Sequence, residues 1–133
     1  MNLQVGIKAF LKNKEGKYLL VRRNPEKYKD VGAKWDIIGG RINPGQGLLE
    51  NLTREIYEET KLALEGGPQL LCAQDILKAD FHVVRLTYLG DTTGEPTLSE
   101  EHTDYGWYTV EEMKNLENLD SYTRKVIEAG LVL

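Results

Sequence analysis

The apolar pattern changes period several times along the chain, and each change predicts an element. Val5 to Leu11 is rich in β-forming residues, Asn13-Lys14-Glu15-Gly16 reads as a turn, and Lys17-Tyr18-Leu19-Leu20-Val21-Arg22-Arg23 follows, so the start predicts a β-hairpin. Trp35 to Ile38 predicts a short strand ending at Gly39-Gly40. Beyond a loop with Pro44, Gly45 and Gly47, the spacing predicts a helix over Leu48 to Thr60. Gly66-Gly67-Pro68 predicts a break in the chain. Two strands follow, Gln69 to Leu77 and Phe81 to Leu89, and the polar stretch Asp91 to Asp104 predicts a mobile loop. Trp107-Tyr108 ends a last strand, Thr109 and Glu112 have capping-box spacing, and a final helix is predicted over Ser121 to Glu128. This order of strands and helices predicts an α+β fold or a three-layer α/β/α sandwich.

The helix over Leu48 to Thr60 carries the chemistry. With Leu48 set at zero on a helical wheel, Leu52, Ile56 and Leu49 fall at roughly 40°, 80° and 100°, forming one apolar stripe. Glu59 falls at about 20°, inside that stripe, with Glu55 at about −20° on its edge and Glu58 at about −80°. Carboxylates crowded at a core boundary repel each other and lose hydration unless a cation or several donors compensate. A hard divalent ion shared with substrate phosphates is one solution. Arg54, Lys61 and water are the other.

Composition narrows the class. A chain of 133 residues with 41% hydrophobic and 29% charged residues is predicted to be one globular domain spanning 1–133. The start, Met-Asn-Leu-Gln-Val-Gly-Ile-Lys, lacks the apolar run of a signal peptide and no window reaches membrane-span length, so a cytoplasmic protein without a membrane partner is expected. The single cysteine, Cys72, excludes an internal disulfide and a multi-cysteine zinc site. The net charge of −4 is unevenly spread: residues 1–41 hold 10 Lys+Arg against 4 Asp+Glu, and residues 42–133 hold 7 against 17. The acidic remainder speaks against nucleic-acid binding. The asymmetry suits a cleft where basic side chains from the first third meet a carboxylate-held metal around an anionic ligand, and it suits plain solvation equally.

From Gly40 onward the chain reads Gly40, five residues, Gln46, seven residues, then Arg54-Glu55-Ile56-Tyr57-Glu58-Glu59-Thr60-Lys61-Leu62. With this spacing the sequence resembles a Nudix hydrolase, whose box is G-x5-E-x7-R-E-U-x-E-E-x-G-U with U a bulky aliphatic residue. Three positions depart from the pattern: Gln46 for the first glutamate, Lys61 for the second glycine, and Ile38 for the proline common before the Gly-Gly pair. The resemblance implies a Nudix-type α/β/α sandwich with a mixed sheet. It implies Mg2+-dependent attack of water on the phosphorus of a nucleoside diphosphate linked to another moiety, with Mn2+ as the alternative ion. Carried over by position, Glu55, Glu58 and Glu59 hold metal, Arg54 orients a carboxylate, and Gly39, Gly40 and Gly45 shape the loop-helix turn. Glu58, Glu59, Glu100 and Glu101 are the candidates for general base, with Arg54, Glu58, Glu59 and Glu101 forming the expected catalytic set.

For substrate binding, Arg23, Arg41, Gly40 and Trp35 are the expected residues. Arg22, Arg23 and Arg41 are candidate phosphate contacts because guanidinium grips phosphate oxygens bidentately. Trp35, Tyr105 and Trp107 are candidate base-stacking groups, with core packing as the alternative for the two tryptophans. Nucleoside triphosphates, nucleotide sugars and dinucleotides all stay open as substrates, because Ile76-Leu77-Lys78 lacks the proline that marks many ADP-ribose pyrophosphatases. A rival chemistry arises because Glu101-His102-Thr103-Asp104-Tyr105-Gly106-Trp107 is also similar to GDP-mannose mannosyl hydrolases, in which a histidine base, here His102, directs water at the sugar carbon. A second rival is a non-catalytic nucleotide-binding or sensor module, motivated by Gln46 and Lys61. Many Nudix relatives pair as homodimers, so a homodimer is the expected assembly if the chain is not monomeric.

Overall fold

The computed structural model describes residues 1–29 and 32–133. Its elements run β1 (Asn2–Lys12), β2 (Tyr18–Arg23), β3 (Trp35–Asp36), β4 (Ile38–Arg41), α1 (Leu48–Thr60), β5 (Glu65–Leu77), β6 (Phe81–Asp91), β7 (His102–Tyr108), α2 (Val110–Lys114) and α3 (Ser121–Glu128). The predicted turn forms, with Asn13 Oδ1 accepting from the amides of Glu15 and Lys17 at 3.0 and 2.9 Å. The hairpin itself does not continue: β1 and β2 pair only where Lys12 meets Tyr18. Beyond that point β1 takes β4 antiparallel over Gly6–Ala9 and β6 parallel along its whole length, while β2 turns to β3 and β7. The result is a seven-stranded mixed sheet ordered β3-β2-β1-β6-β5, with β4 added to β1 and β7 to β2. The predicted break at Gly66-Gly67-Pro68 is instead a slip in register inside β5, between Glu65 and Gln69, because a bulge absorbs glycine and proline without ending the strand.

Strand alternation sends apolar side chains to both faces of this sheet, and each face has its own helical cover. Ile7, Ala9 and Leu11 of β1 and Leu19 and Val21 of β2 pack with Leu52 and Ile56 of α1. Phe10, Tyr18 and Leu20, the intervening residues, pack with Met113 of α2 and Val126 and Ile127 of α3. The sandwich expected from the sequence is therefore present, each large aliphatic side chain contributing about 1.5–3 kcal/mol on burial. The expected stripe on α1 is corrected at one end: Leu48 and Leu49 are exposed, and Asn51 is buried in their place. The first turn packs through polar bonds, with Asn51 Nδ2 donating to Gly47 O and Gln46 O and Asn51 Oδ1 accepting from the amide of Asn43. Among the described residues no helix is long and apolar enough to cross a membrane.

The stretch expected to be a mobile loop is tied down. The amides of Thr97 and Ser99 donate to the last carbonyls of α1, Thr60 O and Glu59 O, at 2.9 and 3.3 Å. Helix carbonyls in the final turn have no partner within the helix, so they hold whatever donor the chain brings to them. Thr92 Oγ1 donates to Ala63 O, Leu98 packs on the α1-side core, and Trp107 Nε1 donates to Glu95.

A buried ionic network joins four strands to α3. Asp36, about 1% exposed, accepts from Lys8, Arg23, Arg85 and the Thr123 hydroxyl. Arg23 and Arg85 also reach Asp120, which caps α3 through the amides of Tyr122 and Thr123. Burial alone would raise the Asp36 carboxyl, but Lys8, Arg85, Arg23 and the Thr123 bond outweigh it and hold it well below the ordinary carboxylate range. Removing one partner of such a network strands the others in a low-dielectric interior, at about 3–5 kcal/mol. Asp36→Asn is therefore expected to lose about 3–5 kcal/mol in urea unfolding, and a loss below about 1 kcal/mol would show that the three cations are re-solvated.

Candidate active site

The site begins at the Gly39-Gly40 turn. A Cβ on Gly39 would lie 1.9 Å from Ile7 O, and one on Gly40 would lie 2.6 Å from Glu55 Oε2, so β4 lies hard against β1 on one side and the first glutamate of α1 on the other. Arg54 Nη1 donates to Glu55 Oε1 at 2.8 Å and to Glu58 Oε2 at 3.3 Å. Its Nη2 donates to Asn51 Oδ1 at 2.9 Å. One guanidinium thus fixes two carboxylates to the backbone frame of the loop-helix junction.

Across the cleft stands the segment tethered to the end of α1. Ser99, Glu100 and Glu101 face Glu55, Glu58 and Glu59 around a cavity of about 230 Å3. The loop between β2 and β3 braces the far wall: Asn24 donates through its amide to Glu101 O and through Nδ2 to Glu100 O, and Lys27 pairs with Glu100 at 3.6 Å. Where β7 meets this wall its register against β2 slips, so that Arg22 faces Asp104 and Arg23 faces His102. A bulge re-aims side chains. Here Thr103 is left exposed and His102 is buried, its ring stacked on Tyr28 and its Nδ1 lying 3.9 Å from Glu59 Oε1.

Glu59 is the centre of the arrangement, only 3% exposed. Burial pushes its carboxyl up to about 9, Lys8 opposes this, and the hydrogen bond to Glu55 and the charges of Glu55 and Glu101 add to it. Burial also lowers the His102 imidazole to about 4, helped by Lys8 and Arg23. Acidic groups that cannot all ionise together, beside a neutral imidazole, are a donor set that fits a divalent cation, since the ion would replace the missing positive charge. Glu59, Glu101 and His102 bring their donor atoms within 4.8 Å of one another. Among the described residues this triad, and not Glu55-Glu58-Glu59, is the convergent one; Glu55 and Glu58 are turned toward Arg54.

The expected substrate residues are scattered. Arg23 is drawn into the Asp36 network through Nη2 and lies over the Tyr28 ring. Arg41 donates Nε to Gln4 Oε1 at 2.9 Å, and its carbonyl accepts from Arg54. Trp35 packs edge-on against Tyr108 in the core beneath α3, the packing alternative weighed for it. Trp107 packs on the α1 side, leaving Tyr105 exposed. Arg22 pairs with Asp104. None of these side chains lines the acidic cleft.

A model of the NUDIX domain matches residues 2–130. The chain is a Nudix hydrolase. The nucleoside triphosphatase NudI of Escherichia coli is 28% identical over 85% of this chain and 86% of its own. Nudix hydrolase 5 of Arabidopsis thaliana is 36% identical over 62 residues, which is 47% of this chain and 20% of that one. The crystal structure of a MutT protein from Methanosarcina mazei Go1 superposes with a TM-score of 0.86 at 29% identity, covering 96% of this chain and 92% of that one.

Two residues that organise this Nudix site escaped the sequence reading. Asn51 pins the glycine loop, and its signal was an amide side chain four residues after Gly47, within reach of the loop carbonyls. Lys8 acts on both Asp36 and Glu59, a link made by the β1–β4 pairing, which sets Lys8 opposite Gly39, and by the short β3 just before β4. Gln46 is exposed, accepts from Asn43 Nδ2 at 3.3 Å, and is not among the residues facing the cleft.

Two measurements follow from this geometry. Between pH 6.5 and 9 the folded metal-free protein holds a proton on Glu59 that the unfolded chain has released, so stability is highest at the acid end and falls as pH rises through the folded pKa. His102 titrates below this window. In the presence of a chelator, the wild type is expected to lose at most about 3 kcal/mol across it, and Glu59→Gln to flatten the profile; a wild-type profile already flat would mean Glu59 is ionised. Gln46→Glu keeps the acceptor for Asn43 and is expected to change turnover by less than about threefold, where a tenfold gain, about 1.4 kcal/mol, would place that carboxylate in the chemistry.

Proposed function

We propose that this Nudix hydrolase cleaves a nucleoside diphosphate linked to another moiety, with water attacking phosphorus and Mg2+ as the ion, and that nucleoside triphosphates are its substrate class. The observation that carries this reading is the buried Glu59 carboxyl set between Arg54-clamped Glu55 and Glu58 and the opposing Glu101. The similarity to nucleoside triphosphatase NudI supports the choice of substrate.

A polyphosphate repels its nucleophile, so catalysis needs charge neutralisation and in-line placement of water. Glu55, Glu58, Glu59 and Glu101 are the residues that would hold the divalent ion, which when bound supplies that neutralisation and lowers the pKa of water. Arg54 keeps Glu55 and Glu58 from swinging away when no ion holds them. Glu58 is the most exposed of the three box carboxylates, which leaves it free to accept a proton from an incoming water. The tethering of Ser99 to Glu59 O fixes the distance between the two acidic walls. Gly40, by lacking a side chain, leaves Glu55 its seat. The glycosyl-transfer rival has less support, since His102 Nδ1 is buried toward Glu59 and not presented to open space.

Phosphorus NMR with Mg2+ and a panel of nucleoside triphosphates, nucleotide sugars and dinucleotides tests the reading. Release of a nucleoside monophosphate and pyrophosphate from a triphosphate is expected, with Glu58→Gln and Glu59→Gln reducing the rate at least a hundredfold, about 2.7 kcal/mol, while far-UV CD stays unchanged. Release of a nucleoside diphosphate and free sugar would instead move the reaction to carbon. Binding without turnover of any substrate would make the chain a sensor.

A further inference from the structure

Among the described residues, five buried side-chain polar atoms lack a partner, and one of them lies beside Glu59. His102 Nδ1 has no hydrogen-bond partner among the described residues, and its side chain is only 6% exposed. A buried imidazole nitrogen left without a partner costs free energy, so an orphan of this kind calls for an explanation. The fold also invests in its orientation: the bulge in β7 brings it inward, Tyr28 stacks on the ring, and the His102 amide donates to Ser99 O.

The distance gives the explanation. At 3.9 Å, Nδ1 and Glu59 Oε1 are too far apart for a hydrogen bond. Two ligands each about 2.1 Å from one ion can lie up to about 4.2 Å apart, so the same separation suits a shared cation. Glu59, Glu101 and His102 each bring a donor atom within 4.8 Å of the other two, and Glu101 is an exposed residue that can close the remaining gap. We infer that His102 Nδ1 is a metal ligand, forming with Glu59 and Glu101 a mixed nitrogen-oxygen divalent-cation site beside the oxygen-only box carboxylates, with Glu59 common to both. This rests on the reading of the cleft as a metal-dependent phosphohydrolase site and extends it to a ligand outside the box.

A consequence is metal choice. Mg2+ binds oxygen and gives up its waters reluctantly, whereas the first-row series that begins at Mn2+ binds mixed nitrogen-oxygen sites. Removing the nitrogen should therefore cost Mn2+ more than Mg2+.

The test uses Mn2+ bound to the full chain and a spectroscopic readout independent of turnover. Electron spin-echo envelope modulation of the Mn2+ protein is expected to show a directly coordinated imidazole nitrogen, and labelling histidine with 15N should change that modulation without any mutation. The chain has two histidines, and His82, paired with Asp75 on the β5–β6 edge, can be replaced as His82→Gln with the signal retained. His102→Gln is expected to abolish the modulation and weaken Mn2+ binding by about tenfold or more, since even partners of ligands cost tenfold to a hundredfold, while Mg2+ binding changes by less than about threefold. Tight Mn2+ binding with no nitrogen modulation in the wild type would overturn the inference and leave the hydrolase reading standing. Failure to bind Mn2+ at all would overturn it too, and Mg2+-dependent release of nucleotide in the phosphorus assay would then tell whether the hydrolase reading fails with it.

Discussion

Asp36 carries its charge in the protein interior because cations from three strands converge on it. Lys8 comes from β1, Arg23 from β2 and Arg85 from β6, and Asp120 returns two of those guanidinium groups to the cap of α3. Desolvation of so many charges is costly, and the network holds only because nearly every lone pair and N–H among them is matched. That requirement fixes positions. Were β1 to slide by one residue along β6, Lys8 would leave the face that Arg85 occupies and the network would be lost. The parallel register, the place of β3 and the docking of α3 are thus specified together.

The same constraint reaches the site. Lys8 also bears on Glu59 and His102, which lie on the α1 side of the sheet, so a cation anchored by Asp36 tempers the burial of the carboxylate while discouraging charge on the imidazole. Glu59 cannot escape to solvent, because Leu52 and Ile56 seat α1 on the sheet and the Thr97 and Ser99 amides lock its last carbonyls. A buried acid that resists ionising is a poor surface residue and a good cation trap. The position of one glutamate among aliphatic residues is where packing and chemistry meet.

That position was legible in the sequence, since the wheel places Glu59 within the stripe of Leu52 and Ile56, and the span of α1 was predicted to the residue. So were the capping box of α2 and the span of α3, which depend on local bonds alone. What local pattern could not reveal was pairing at a distance. The hairpin signal at Asn13–Gly16 is real, yet β1 and β2 part after one residue pair, and β4 takes up β1 over Gly6–Ala9. The polar segment before β7 has the composition of a mobile loop, and only the helix end it meets makes it rigid. Arg23 and Arg22 have the chemistry of phosphate ligands, but Asp36, Asp120 and Asp104 reach them first. The basic first third is in good part matched to acidic partners within the fold, the structural counterpart of the charge asymmetry along the chain.

The departures from the Nudix box can be weighed by the same logic. Lys61 adopts the left-handed conformation, φ 61°, that the usual glycine would take without strain. A side chain there costs about 1–2 kcal/mol, and the helix ending is kept because the Lys61 amide still closes onto Tyr57 O while its ammonium lies over the Tyr57 ring. Gln46 keeps its bond within the loop and is not among the residues lining the cleft. The cost of Lys61 therefore falls on backbone shape, and Gln46 meets a partner within the loop. The positions that match the box are Arg54, which pairs with Glu55 and Glu58, and the three glutamates that face the cleft. The box thus departs from its pattern at a helix end and in a loop, while its acidic centre stays whole in space.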